Sequence, residues 1–332
     1  MTAIPRRTLA LGAIAAPLAT PFVARAQAVT ELRLGHVLSE QSSYHVAGTK
    51  LSELVEQRTN GRVKIVVFAN SALGGELRLI QSARTGAIDL MFNSQPSLEN
   101  TIRDLGVLSL PWLFDNYEQA NRLMQGPMGQ RLLTLLEPVG MVGLSWFNLF
   151  ERSVLTNRPF TNLAEARGLK IRVIQSPGYV ETYRAIGMQP TPTAYAELFL
   201  ALQNGVVDAA ELAPDQMIAD RFVEVIRHYV LTKTHQLPSV LIASRSRFNA
   251  LPADVQAAIR ASVPAAITEG LAYYNRFREE SFVEVRRRGI NIIEPDLAPF
   301  KAAARPAYDT ILANAPNGRA LLAEIEAAKA RA

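Results

Sequence analysis

The stretch Gly168-Leu-Lys-Ile-Arg-Val-Ile-Gln-Ser-Pro177 decides how the chain is read. Leu169, Ile171 and Val173 alternate with Lys170, Arg172 and Ile174, which predicts a strand with one buried face that leaves a turn glycine. Arg172 stands in mid-strand, just before a loop opened by Ser176, Pro177 and Gly178. It is either a solvated charge on an edge strand or a cation aimed at something negative.

Outward from this strand the same plan recurs. "GYVETYRAIG" (178–187) and "AYAELFLALQNG" (194–205) read as helices, and "VVDAAEL" (206–212) as a strand. Nearer the N-terminus, "ELRLGHVLS" (31–39) is an alternating strand. "YHVAGTKLSELVEQRTNGR" (44–62) has helical spacing and stops at Asn60-Gly61. "VKIVVF" (63–68) is a strand, a helix runs from Gly74-Gly75-Glu76 to Gly86, and "AIDLMFN" (87–93) is a strand. "GRVKIVV" matches "GLKIRVI" in pattern, and "RTGAIDLMF" matches "QNGVVDAAE". The reading is an α/β fold of two lobes with related plans. Helix–glycine–strand joints recur in any α/β protein, because glycine suits the left-handed helix end, so the pattern speaks to fold class before ancestry.

From Pro252 to Gly289 almost no turn signal occurs. Asp254 in the first turn and Arg286, Arg287 and Arg288 in the last complement the helix dipole. One helix of that length, about 57 Å at 1.5 Å per residue, exceeds a single lobe and could bridge both. Pro264 and Gly270 are the places where it would bend or break.

The chain has 332 residues, of which 48% are apolar and 20% charged, enough for two sizeable cores. Residues 1–28 differ from the rest. Arg6-Arg7 precedes a small-residue apolar run that ends in Ala24-Arg25-Ala26 and Ala26-Gln27-Ala28. This is the layout of a secretory signal peptide of the twin-arginine type, with cleavage before Gln27 or Val29. Pro17 and Pro21 interrupt the run, which is short for a membrane anchor. Without residues 1–26 the formal charge drops from +5 to +2, since three arginines and no acid leave. No basic run of nucleic-acid type remains. There is no cysteine, so thiol and disulfide chemistry is excluded.

The sequence lacks G-x-S-x-G, P-loop, G-x-G-x-x-G and H-E-x-x-H signatures. His36, His45, His228 and His235 show no metal-ligand spacing, and no cofactor is expected. An exported two-lobe protein without a catalytic set fits a ligand trap that closes like a hinge.

Five blocks then carry a resemblance: "NSALGGELRLIQSARTGAIDLMF" (70–92), "LPWLF" (110–114), "ERSVLTNRPF" (151–160), "GLKIRVIQSP" (168–177) and "QPTPTAYAELFLALQNGVVDAAE" (189–211). In that order they resemble the solute-binding proteins of tripartite ATP-independent periplasmic (TRAP) transporters, the DctP family. The resemblance implies a cleft between two lobes, crossing strands, and a long helix spanning both. It assigns residues 29–149 plus about 239–270 to lobe I, and 150–238 plus about 271–332 to lobe II. It implies capture of an organic acid and delivery to small and large membrane subunits in the periplasm, with no catalysis.

The resemblance makes Arg172 the carboxylate clamp and Arg152 a second arginine, unless Arg152 is only a surface partner of Glu151. A guanidinium matches a carboxylate with two parallel hydrogen bonds. Glu76 is either a helix-start residue or a cleft residue that bonds a ligand hydroxyl, and Glu211 is either cleft or surface. Tyr44, Phe150 and His235 could wall the site. Many members carry asparagine after the glutamate, where this chain has Leu212. An exported sensory module and an exported enzyme remain the alternatives.

Overall fold

The computed structural model describes residues 29–330, and the expectations for residues 1–28 lie outside them. Nine strands among the described residues form one sheet: β1 (Thr30–Gly35), β2 (Val63–Phe68), β3 (Leu90–Ser94), β4 (Met141–Thr156), β5 (Lys170–Val173), β6 (Gln189–Pro192), β7 (Ala209–Leu212), β8 (His228–Ser244) and β9 (Asn291–Ile293). The order is β2-β1-β3-β8-β4-β7-β5-β6, with β9 beside the start of β8. β2, β1 and β3 are parallel, as are β7, β5 and β6. Each parallel group is fed by short helices, the α/β plan expected from the alternation of strand and helix patterns.

The two groups are joined by β4 and β8, which run antiparallel through the middle of the molecule. At 16 and 17 residues they are long enough to serve both halves of the sheet. β8 meets β3 through Ser239–Ala243, while β4 meets β7 through Ser153–Thr156. Their register slips between Gly143 and Ser145, and the two slips nearest the crossing fall between Trp146 and Leu149 and between Arg152 and Val154. At the last slip, Arg152 faces His235 and Val154 faces Val230. The surplus residues of β8 bulge out, with Lys233 in the left-handed region (φ 46°) and its amide donating to Ser153 Oγ at 3.0 Å. Bulges kink strands and re-aim side chains. These two lie on either side of Phe150–Arg152, where the strands pass from one lobe to the other.

The helix expected from Pro252 is Ala253–Arg287, 35 residues and continuous through Pro264. It packs against the helix Ser43–Arg58, β4 and the helix Pro214–Ala219, so it touches both lobes. Gly270 is no break. A Cβ there would lie 2.6 Å from the Phe147 ring and 2.8 Å from Ala47 Cβ, so the glycine lets two helices and a strand approach closely. The helices Ala298–Asn314 and Gly318–Lys329 pack on the 103–109 turn, and the first of them also on the helix Pro177–Ala185.

Most apolar side chains form one large core. A smaller core around Leu155, Leu198, Leu202, Leu212 and Phe222 lies in the second lobe. No helix among the described residues is long and apolar enough to cross a membrane.

Candidate functional site

β5 lies between β7 and β6, so Arg172 is on an inner strand and not on an edge. Its side chain is 2% exposed. Nε and Nη2 both donate to the Thr193 carbonyl, at 3.0 and 2.9 Å, and Nη1 donates to Glu211 Oε1 at 3.4 Å. A guanidinium has five N–H groups. Three are engaged, which leaves one on Nη1 and one on Nη2 for a carboxylate.

Arg152 enters from the bulged part of β4. Nε donates to Glu211 Oε2 at 2.6 Å, Nη2 to the Glu211 carbonyl at 2.6 Å, and Nη1 to Gln216 Oε1. Glu211, fully buried on β7, also accepts the Ile174 amide at 3.1 Å. One carboxylate therefore serves two buried guanidinium groups. The sharing is unequal. For Arg152, burial depresses the pKa but the close Glu211 overrides it, leaving a net upward shift. For Arg172, burial dominates and the nearby Arg152 adds to it, so its pKa is lowered in spite of Glu211. Arg172 is held by Glu211 the more loosely of the two, at 3.4 Å against 2.6 Å for Arg152.

Both arginines line a small hollow between the lobes, with a cavity volume of about 30 Å³. Glu76, Tyr44, Phe150 and Ser94 line it from the first lobe and the crossing strand, Tyr195 and Gln216 from the second lobe. That is room for about one or two waters and far below a small-ligand pocket, so the lobes stand closed on each other here. A larger hollow opens beside Arg131, but that arginine is 60% exposed and ion-paired with Glu324 at the surface.

Glu76 is both a helix-start and a cavity-wall residue, opening the helix Glu76–Thr85. Its Oε1 accepts the Ser94 amide at 2.9 Å, and its Oε2 accepts the hydroxyls of Ser94 and Ser97. Tyr44 is buried, stacks on Phe92 and meets Ser239 through its hydroxyl.

Glu211 and His235 take places other than those expected, and Arg152 keeps the cavity wall but without its alternative partner. Glu211 does not line the cavity but stands behind the arginines and orients them. Arg152 pairs with Glu211 and not with Glu151, which accepts from Gln236. His235 lies outside the lining residues, stacked on Tyr179 at 4.0 Å with Nε2 3.2 Å from the Ser109 carbonyl, and burial lowers its pKa to about 3. His36 and His45 do meet, at 3.4 Å, but no group of three metal-ligating side chains occurs among the described residues.

Leu212 is buried in the smaller core and offers no polar contact. Gln216, four residues on, stands at the cavity wall instead. Sequence reading passed over Gln216 and Tyr195. The signal for Gln216 was the helix start at Pro214, which turns its third residue back toward Arg152.

A closed hollow between two α/β lobes, walled by buried arginines and bridged by crossing strands, is the arrangement of a two-lobe ligand-binding protein. The chain belongs to the bacterial extracellular solute-binding protein family 7, DctP, whose model matches residues 34–315. A solute-binding protein of Roseobacter denitrificans is 31% identical over 287 residues, 85% of this chain and 86% of that one. Among solved structures, a TRAP periplasmic solute-binding protein of Polaromonas sp. JS666 bound to D-erythronate is 31% identical with TM-score 0.85, covering 90% of this chain and 98% of that one. One of Chromohalobacter salexigens with bound D-glucuronate is 28% identical with TM-score 0.86, covering 90% and 99%.

Proposed function

We propose that this protein captures a hydroxylated monocarboxylate of the sugar-acid class and hands it to the small and large membrane subunits of a TRAP transporter. The observation that carries the reading is Arg172: buried, paired with Glu211 only at 3.4 Å, and with one N–H on each terminal nitrogen still to be used. A carboxylate placed end-on against that fork gains two charge-assisted hydrogen bonds and neutralises the second guanidinium. Glu76, Ser94 and Gln216 supply acceptors and donors for hydroxyls, in keeping with the erythronate and glucuronate held by the related structures.

The protein acts in the periplasm after removal of residues 1–26 or 1–28, and binds without turnover. The lobes, 29–149 with about 239–270 and 150–238 with about 271–332, close over the acid. The pivot lies in the bulged crossing of β4 and β8, while the long helix braces both sides.

Thermal denaturation with a ligand panel tests the reading. D-erythronate, D-galactonate and D-glucuronate form the acid set, and D-galactose and D-glucose the neutral set. A bound acid at 100 times its Kd adds about 2.7 kcal/mol of stability, so at least one acid should raise the Tm clearly while the neutral sugars do not. A panel in which no acid raises the Tm, or in which neutral sugars do so equally, contradicts the reading.

A further inference from the structure

Gln216 is buried and lines the cavity, and its amide is oriented by its neighbours. Oε1 accepts from Arg152 Nη1 and from the Ala213 amide at 3.3 Å. Arginine has no acceptor, so the atom facing it is the oxygen and the amide cannot be flipped. The two N–H groups of Nε2 are what remain, and among the described residues they meet no acceptor. Leu212, packed into the smaller core, brings no polar group to this wall. The site thus holds, next to its carboxylate-binding fork, a donor that is fixed in place and cannot act as an acceptor.

We infer that Gln216 selects acids carrying an oxygen on the carbon next to the carboxylate. The inference rests on the sugar-acid reading and narrows it. Gln216 and Arg172 line the same small hollow and are linked through Arg152 and Glu211, so the proposal places the first ligand atom beyond the carboxylate against the amide. A 2-hydroxyl can accept from Nε2. So can the ring oxygen of a pyranose uronate, which is bonded to the carbon that bears the carboxylate and can only accept. A methylene leaves a buried donor unpaired, and an ammonium brings donors and positive charge against Nε2 and Arg152. The rule therefore admits aldonates and uronates and rejects 2-deoxy acids and 2-amino acids.

Titration calorimetry on the full mature protein tests this with two matched pairs: D-erythronate against 3,4-dihydroxybutanoate, and D-galactonate against 2-deoxy-D-galactonate. The parent should favour the 2-oxygen member of a pair by roughly tenfold or more. Gln216→Glu keeps an acceptor for Arg152 but has no N–H to give, and Gln216→Met has neither. Both should bring the within-pair ratio close to one, whatever they do to overall affinity. A parent ratio near one overturns the inference without the help of any variant, and leaves the sugar-acid reading standing. A ratio that survives both substitutions overturns it too, because selection then lies elsewhere. A parent that binds neither pair nor D-glucuronate overturns the sugar-acid reading and this inference with it. One that binds D-glucuronate alone overturns the inference, because 2-hydroxy aldonates are then refused.

Discussion

Nε of Arg152 lies 2.6 Å from Oε2 of Glu211, with both side chains almost wholly buried. This pair also holds the site together, because the other carboxylate oxygen receives Arg172. Removing the acid strands two guanidinium groups in the interior. Loss of one partner from a buried ion pair typically costs 3–5 kcal/mol. Glu211→Leu should lower stability by about that much in urea denaturation. A loss under ~1 kcal/mol would mean that the arginines relax to water.

Asp215 predicts a pH dependence. Burial pushes its carboxyl up to about 7, with Arg152 pulling the other way and Asp220 adding to the rise. Its ordinary value is 3.8. Between these two values the folded state holds a proton that the unfolded chain has lost, so stability falls as pH rises through about 4 to 7 and this contribution is flat on either side. Three units correspond to roughly 4 kcal/mol at most. Asp215→Asn should remove that part of the slope, so that the variant gains on the parent between pH 4.5 and 7.5. Parallel urea-stability curves across this range would contradict the assignment.

Gly270 sits inside the long helix, where alanine would ordinarily stabilise by about 0.5–1 kcal/mol. Here a Cβ would meet the Phe147 ring and Ala47 at well below contact distance. Overpacking of this kind costs about 1–3 kcal/mol, so the clash outweighs propensity. Gly270→Ala should lower the Tm, and an unchanged or raised Tm would show that the helix can shift aside.

Arg172 is nearly inaccessible in this structure, so a ligand can reach it only if the lobes part. Small-angle scattering should give a smaller radius of gyration with a saturating sugar acid than without. Equal radii would argue for entry without lobe motion.

Much of the fold could be read from periodicity. The parallel strands β1, β2, β3, β5 and β7 lie where alternation and glycine stops put them, and the long helix runs almost to its expected ends. β6, Gln189–Pro192, escaped because two prolines disguise an edge strand that β5 pairs with on one side only. The full lengths of β4 and β8 escaped because bulges break their alternation, and that irregularity is what brings Arg152 to the cavity. At the site, alternation alone left Arg172 open between an edge charge and an aimed cation. The resemblance of the Lys170-Ile171-Arg172 strand to the family singled it out, and the pairing of β5 on both sides takes it off the edge. Glu211 looked like a contact residue and proved to be the brace behind the arginines. Gln216 carries no motif, and its role depends on which way Arg152 turns its amide. His235 was chosen as an aromatic wall, yet stacking on Tyr179 holds it in the core.

The measurement that tests the account most directly is titration calorimetry of Arg172 variants with whichever of D-erythronate, D-galactonate and D-glucuronate the parent binds most tightly. Arg172→Ala removes the fork and leaves the ligand anion desolvated, which should cost about 2–5 kcal/mol, roughly 30- to 5,000-fold in affinity. Arg172→Lys should recover only part of the loss, because an ammonium cannot match both carboxylate oxygens. If Arg172→Ala binds within about threefold of the parent, under ~0.7 kcal/mol, the carboxylate does not sit on Arg172 and the proposed clamp is wrong.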